Sequence, residues 1–150
     1  MNKILVLYHS QQFGHLHMMA EAFAEGIQKA GGEATLHNTN HSRYNIEEYR
    51  QFDGVAIGSP DYFSYIAGTL KTFLDDWFLA KSREPQGLTH KPYVLFLSYD
   101  HVGQARQALE MLFSRLGTQV GSIVECDGEP DEATLAACRE LGAKIVQAID

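Results

Sequence analysis

A chain of 150 residues, 45% of them hydrophobic, has enough material for a buried core and needs no disulfides or metals to hold it together. Its net charge of -7, with twelve basic residues scattered along the sequence, excludes a nucleic-acid binder, which concentrates Lys and Arg on one surface. Two isolated cysteines, Cys126 and Cys138, no leader-like segment and no apolar run of membrane-spanning length lead us to expect a reducing, cytoplasmic location.

In chain order, the apolar run Ile4-Leu5-Val6-Leu7-Tyr8 reads as a strand buried on both faces. From about Leu16 the apolar residues Leu16, Met19, Ala20, Phe23, Ile27 and Ala30 recur at helical spacing until Gly31-Gly32 stops the helix. Glu33 to His37 alternates weakly and predicts a strand at a sheet edge, followed by the loop Asn38 to Ser42. Ile46 to Tyr49 has room only for a short helical turn before a third strand, Val55 to Gly58. The stripe Ile66, Leu70, Phe73, Leu74 and Trp77 predicts a helix ending near Lys81, and Tyr93 to Ser98 a fourth strand. Ala105, Ala108, Leu109, Leu112 and Leu116 predict the next helix, stopped by Gly117, and Val120 to Glu125 a fifth strand. A last helix starts in the acidic turn Glu129-Pro130-Asp131-Glu132. Strands alternating with helices require right-handed crossovers and a parallel sheet covered on both faces. The expected fold is therefore α/β, a doubly wound sandwich with a five-stranded parallel sheet in the order 2-1-3-4-5, as a single domain over residues 1–150.

Ligands in such sheets sit beyond the carboxyl ends of the strands. Three loops leave those ends: Ser10 to His15, Ser59 to Tyr65 and Ser98 to Gly103. The first is small and polar beside a helix N-terminus, which suits a phosphate, although the same composition also serves a plain helix cap. The other two carry Tyr62, Phe63, Tyr65 and Tyr99, which suit a flat ring or, alternatively, core packing near an edge. Together the loops point to a phosphorylated planar ligand, most simply flavin mononucleotide (FMN). Other nucleotide signatures are missing: the sequence has no G-x-G-x-x-G, no G-K-[ST] and no G-x-S-x-G. A phosphoacceptor receiver would need acidic residues where Gly58-Ser59 and His9-Ser10 stand. His9, His15 and His17 cluster in sequence without a metal-site signature, so no metal is expected.

The segments Tyr8-His9-Ser10-Gln11-Gln12-Phe13-Gly14-His15 and Asp53-Gly54-Val55-Ala56-Ile57-Gly58-Ser59-Pro60-Asp61-Tyr62-Phe63, followed by Gly68-Thr69-Leu70-Lys71-Thr72-Phe73-Leu74-Asp75, resemble the flavodoxin-like FMN-binding family. The likeness is strongest to the NAD(P)H:quinone oxidoreductases related to the tryptophan-repressor-binding protein, and Gly87-Leu88-Thr89-His90-Lys91-Pro92 is similar to that branch too. The resemblance implies a cofactor site formed by Ser10, Gln11, Gln12, Phe13, Gly14, His15 and Leu16 in the phosphate loop. It adds Ser59, Pro60, Asp61, Tyr62 and Phe63 in the second loop and Ser98, Tyr99, Asp100 and Gly103 in the third.

Tyr62, Phe63 and Tyr99 would wall the ring, and His101 would supply a proton. NAD(P)H would be the donor and a quinone-like acceptor or a redox partner protein the recipient, with a homodimer or homotetramer left open. Two further readings stand beside this one: a flavodoxin-type electron carrier, and a flavodoxin-like binding domain that has lost FMN. Where family loops end in G-N-T or G-H-T this chain has Gly14-His15-Leu16, so backbone amides, Ser10 and Gln12 or His17 would have to hold the phosphate. Flavodoxin-type carriers turn a peptide, often at glycine, to follow the one-electron state of the ring. The loop Ser59 to Phe63 has no glycine and contains Pro60, so it is expected to be stiff, with Asp61 and Asp100 placing negative charge near the ring.

Overall fold

The computed structural model describes residues 1–11, 14–101 and 103–149. β1 (Lys3–Tyr8) leads into α1 (His15–Lys29) and β2 (Glu33–Asn38); a 3-10 turn (Ile46–Gln51) precedes β3 (Gly54–Pro60), α2 (Gly68–Arg83), β4 (Lys91–Tyr99) and α3 (Ala105–Phe113). Two short strands, β5 (Gly117–Gln119) and β6 (Val124–Asp127), and α4 (Glu132–Ile149) complete the chain. All strand pairs are parallel, in the order β2-β1-β3-β4-β5, and β6 pairs with the distal end of β4.

The central strands bury both faces, which is why they read as continuous apolar runs. On one face Leu5, Leu7, Val55, Ile57, Tyr93, Leu95 and Leu97 pack against Leu70, Phe73 and Trp77 of α2 and Leu109 and Phe113 of α3. On the other, Ile4, Val6, Tyr8, Ala56, Val94 and Phe96 meet Met19, Phe23 and Ile27 of α1 and Leu141 and Ile145 of α4. The register sets Tyr8 beside Asn38 and Gly58, and Pro60 beside Ser98, so the carboxyl ends of β1 to β4 emerge along one edge.

One expectation needs correction. The fifth strand, expected as one run from Val120 to Glu125, is split: β5 pairs with Lys91 to Tyr93 and β6 with Phe96 to Tyr99. Gly121, at φ +64°, turns the chain between them. After Phe113, α3 tightens into a 3-10 turn through Leu116, and Gly117 caps that turn where the stop was expected. Gly117 opens β5, and a Cβ there would lie 1.9 Å from the carbonyl oxygen of Lys91, an approach that no other residue permits.

Candidate functional site

A cleft opens at the carboxyl edge of the sheet. His9, Ser10, Gln11, Gly14, His15 and Leu16 line one side, and Pro60, Tyr62, Ser98 and Asp100 the other.

The first wall is a backbone cradle. Gly14 N–H donates to the Gln11 carbonyl at 3.1 Å, and the Gly14 carbonyl accepts from Met18 N–H at 3.0 Å, so the turn runs directly into α1. Gly14 holds φ +67°, and with no side chain it cannot cap the helix it begins. The amides and the positive dipole end of α1 therefore face the cleft without a side-chain cap between them, an arrangement suited to an anion. The loop is pinned from β2: Ser10 N–H donates to Asn38 Oδ1 at 3.0 Å, and the Ser10 carbonyl accepts from Asn38 Nδ2 and Asn40 Nδ2, each at 3.2 Å. Leu16, standing where the family threonine would, is buried against the α1 and α4 layer. His17 does not take over the threonine's place, because its Nδ1 lies 2.6 Å from Tyr8 OH and its Nε2 2.9 Å from Glu21.

His9 sits at the floor of this wall with 4% of its surface exposed. Its N–H donates to the Gly58 carbonyl, and its Nδ1 is 2.7 Å from Thr69 Oγ1. Its Nε2 is buried without a hydrogen-bond partner among the described residues. Burial pushes the imidazole below its ordinary pKa. The ring of Tyr62 packs edge-on against it at 5.7 Å.

The second wall is a braced loop. Tyr62 and Tyr65 exchange backbone hydrogen bonds at 3.0 and 3.1 Å across a tight turn whose tip residues, Phe63 and Ser64, hold φ of 56° and 61°. Non-glycine residues in that region carry strain, and Asp61 holds them there. Its Oδ1 accepts from Ser64 N–H at 2.8 Å, while Oδ2 accepts from Gln104 N–H at 2.8 Å and Ala105 N–H at 3.0 Å. The Asp61 carboxylate thus caps α3 from outside it. Ser59 closes the base of the loop, donating to the Pro60 carbonyl and accepting from Ala67 N–H.

Of the expected site residues, Ser10, Gln11, Gly14, His15, Leu16, Pro60, Tyr62, Ser98 and Asp100 meet at the cleft. Gln12 and Phe13 lie outside the described residues. Phe63 is fully exposed, and Tyr99 packs back on the α2 and α3 layer, its ring so close to Gly103 that a Cβ there would be 2.7 Å away. His101 is exposed, with its N–H donating to Asp127 Oδ1 at 2.8 Å. His9, Asn38, Asn40 and Thr69 were not expected; the pairing of β2 with β1 brings Asn38 and Asn40 beside the loop after β1, whereas Thr69 comes from the first turn of α2. Among the described residues no group of His, Cys, Asp and Glu gathers as a metal site. No helix there is long and apolar enough to cross a membrane.

These features fit FMN at its phosphate end: an uncapped helix start, a pinned backbone loop and an orphaned buried nitrogen in one cleft. The family model for flavodoxin matches residues 6–142. The chain superposes on a flavodoxin from the domain Archaea with a TM-score of 0.83, at 21% identity and with 98% of each chain covered. A flavodoxin, WrbA-like protein from Agrobacterium tumefaciens gives a TM-score of 0.79 at 24% identity, covering 99% of this chain and 98% of that one. Among curated sequences, the NAD(P)H dehydrogenase (quinone) of Brucella ovis is 33% identical and that of Acidithiobacillus ferrooxidans 32%, each over 50% of this chain and 46% of the relative. The chain thus spans about half the length of the curated relatives it matches.

Proposed function

The chain belongs to the flavodoxin family, whose cofactor is FMN, and from that premise we propose that it is an oxidoreductase passing electrons from NAD(P)H to a quinone-like acceptor. Bound FMN supplies the hydride and electron chemistry; the protein binds it, orients it and limits its reactions. The α1 start and the Asn38-pinned loop hold the phosphate, and Tyr62 borders the ring. His101, exposed and next to the cleft-lining Asp100, serves as the proton source for the acceptor. Two buried thiols, with Cys138 pushed up to about 12 by desolvation, suit a cytoplasmic setting.

The observation that carries this reading is the brace on the second loop. A peptide that must turn to follow a one-electron change at the ring needs a free loop, but here the Asp61 carboxylate and the Tyr62–Tyr65 bonds tie the segment to α3 and to itself. A stiff loop favours two-electron steps, which a hydride donor and a quinone require. The Asp61 charge is engaged with α3 amides, so Asp100 is the carboxylate that lines the cleft.

The carrier reading stands beside this one, since the family model that the chain matches is that of flavodoxin. Anaerobic titration of the FMN-loaded protein separates the two. We expect NADH or NADPH to be oxidised as a quinone is reduced, with stepwise reduction passing directly from the oxidised to the fully reduced spectrum. A persistent one-electron spectrum with the nicotinamide untouched would favour the carrier. A protein that stays colourless after FMN is added would sink both.

A further inference from the structure

His9 has an assignable tautomer. Thr39 Oγ1 donates to the Tyr8 carbonyl at 3.2 Å, and a carbonyl can only accept, so the single hydroxyl proton of Thr39 is committed. In the 2.8 Å bond between Thr39 and Thr69, Thr69 is then the donor, which commits its proton as well. In the order that meets every contact of the relay, Thr69 Oγ1 accepts from His9 Nδ1 at 2.7 Å and Nδ1 carries the hydrogen, an assignment drawn from the network of bonds. The reverse order would turn the Thr39–Tyr8 contact into two facing acceptors. In that order the neutral ring has a bare lone pair at Nε2, buried and without a partner among the described residues, on a residue that lines the cleft at the start of α1. Leaving such a group unmet costs free energy, which a ligand can recover.

We propose that His9 is a proton-linked anchor for the phosphate of the cofactor: Nε2 takes a proton from solvent as the phosphate dianion binds, and the new N–H donates to a phosphate oxygen. The inference rests on the FMN reading. One N–H bond forms at Nε2, the proton comes from the buffer, and nothing is oxidised or reduced. Protonation leaves the Nδ1–H bond to Thr69 as it is, so the threonine relay needs no rearrangement.

The surroundings permit the step. Tyr62 from the second loop covers the ring, and burial raises its phenol and keeps it neutral. Thr69 of α2 and Thr39 after β2 are uncharged, and Tyr8 on β1, held neutral by its own raised pKa, turns its hydroxyl to His17 and not to His9. The remaining titratable groups at the cleft are His15 on α1 and Asp100 after β4; Asp61 is tied to α3, and Glu21 to His17. Burial alone holds His9 below its ordinary range, and a dianion arriving at Nε2 reverses that preference.

The test is calorimetric binding of FMN and riboflavin to the full chain at about pH 8, in buffers of different ionisation enthalpy, where the free phosphate is already a dianion because its second pKa is near 6. We expect uptake of about one proton per FMN, hence an affinity that falls about tenfold per pH unit above neutrality, and no uptake with riboflavin. His9→Gln should bind FMN without that uptake. Should the variant not fold, the 15N resonance of wild-type His9 Nε2 gives the same answer, moving from the unprotonated to the protonated range when FMN is added. FMN binding without proton uptake, uptake retained in His9→Gln, an Nε2 resonance that does not move, or equal uptake with riboflavin overturns the inference and leaves the FMN reading standing. No binding of FMN overturns both.

Discussion

The two walls of the cleft hold different kinds of tension. On the β1 side Asn38 and Asn40 pin Ser10, but hydrogen-bonding capacity is left over: α1 starts at a glycine without a side-chain cap, and His9 Nε2 has no partner among the described residues. On the β3 side the polar groups are met, since Asp61 accepts three backbone N–H bonds, but Phe63 and Ser64 sit at left-handed dihedrals. Unmet polar capacity can be returned as binding energy when an anion arrives, whereas strained dihedrals held by a carboxylate fix a shape. The first wall is therefore built to bind and the second to hold still.

The largest effect should come from Gly14→Val. A β-branched residue at φ +67° costs roughly 1–2 kcal/mol and crowds the approach to the α1 amides, so FMN affinity measured by fluorescence quenching should fall about tenfold or more. Unchanged affinity would mean that the phosphate lies elsewhere. Asp61→Ala should act on the other wall, lowering stability in urea titrations by about 1–2 kcal/mol through lost capping of α3 and release of the turn. It should also let a one-electron spectrum accumulate during reduction, and a variant as stable and as spectrally simple as wild type would remove the brace from the account.

Tyr62→Ala should loosen FMN severalfold, because ring contacts are worth about 0.5–1.5 kcal/mol beyond area burial. Tyr99→Ala should spare affinity and cost stability instead, since that ring packs on the core and under Gly103. Reversed outcomes would exchange their roles.

The smallest effect on FMN binding is expected at the opposite end of the sheet, where the readout is stability. Lys91 is buried with its ammonium donating to the Tyr49 carbonyl and 4.0 Å from the ring of Tyr49, and desolvation lowers its pKa to about 8. Below about pH 8 the folded state bears the full cost of the buried charge, and the cost is lifted as pH rises toward the ordinary lysine value of about 10.4. Wild-type stability should thus rise relative to Lys91→Met across that window, with or without FMN. A flat difference would show that Lys91 titrates normally. Lys91 has its partner at rest, whereas His9 acquires one only with ligand.

The elements were legible in the sequence wherever the signal was local. Ile4 to Tyr8, the α1 stripe and Gly31-Gly32 carry their structure in spacing alone. The fifth strand was not, because Val120, Ile123 and Val124 mimic one apolar run while Gly121 divides it. At the site, the polar loop that leads into α1 was readable from its composition next to a helix. The role of Asp61 was not, since its bonds to Gln104 and Ala105 span more than forty residues. His9 was visible only as one of several histidines; its meaning depends on Thr69, sixty residues away, and on Thr39 from a third segment. Tyr99 was read as a ring wall because aromatic composition does not say which face of the sheet a strand-end side chain takes.

The central claim is that the cleft binds FMN through its phosphate at the start of α1. A fluorescence titration of wild-type protein with FMN and with riboflavin tests it most directly, because the two ligands differ only in that group. Two charge-assisted hydrogen bonds at about 1.5–3 kcal/mol each predict that FMN binds at least about a hundredfold more tightly. Equal affinities for the two flavins would contradict the account.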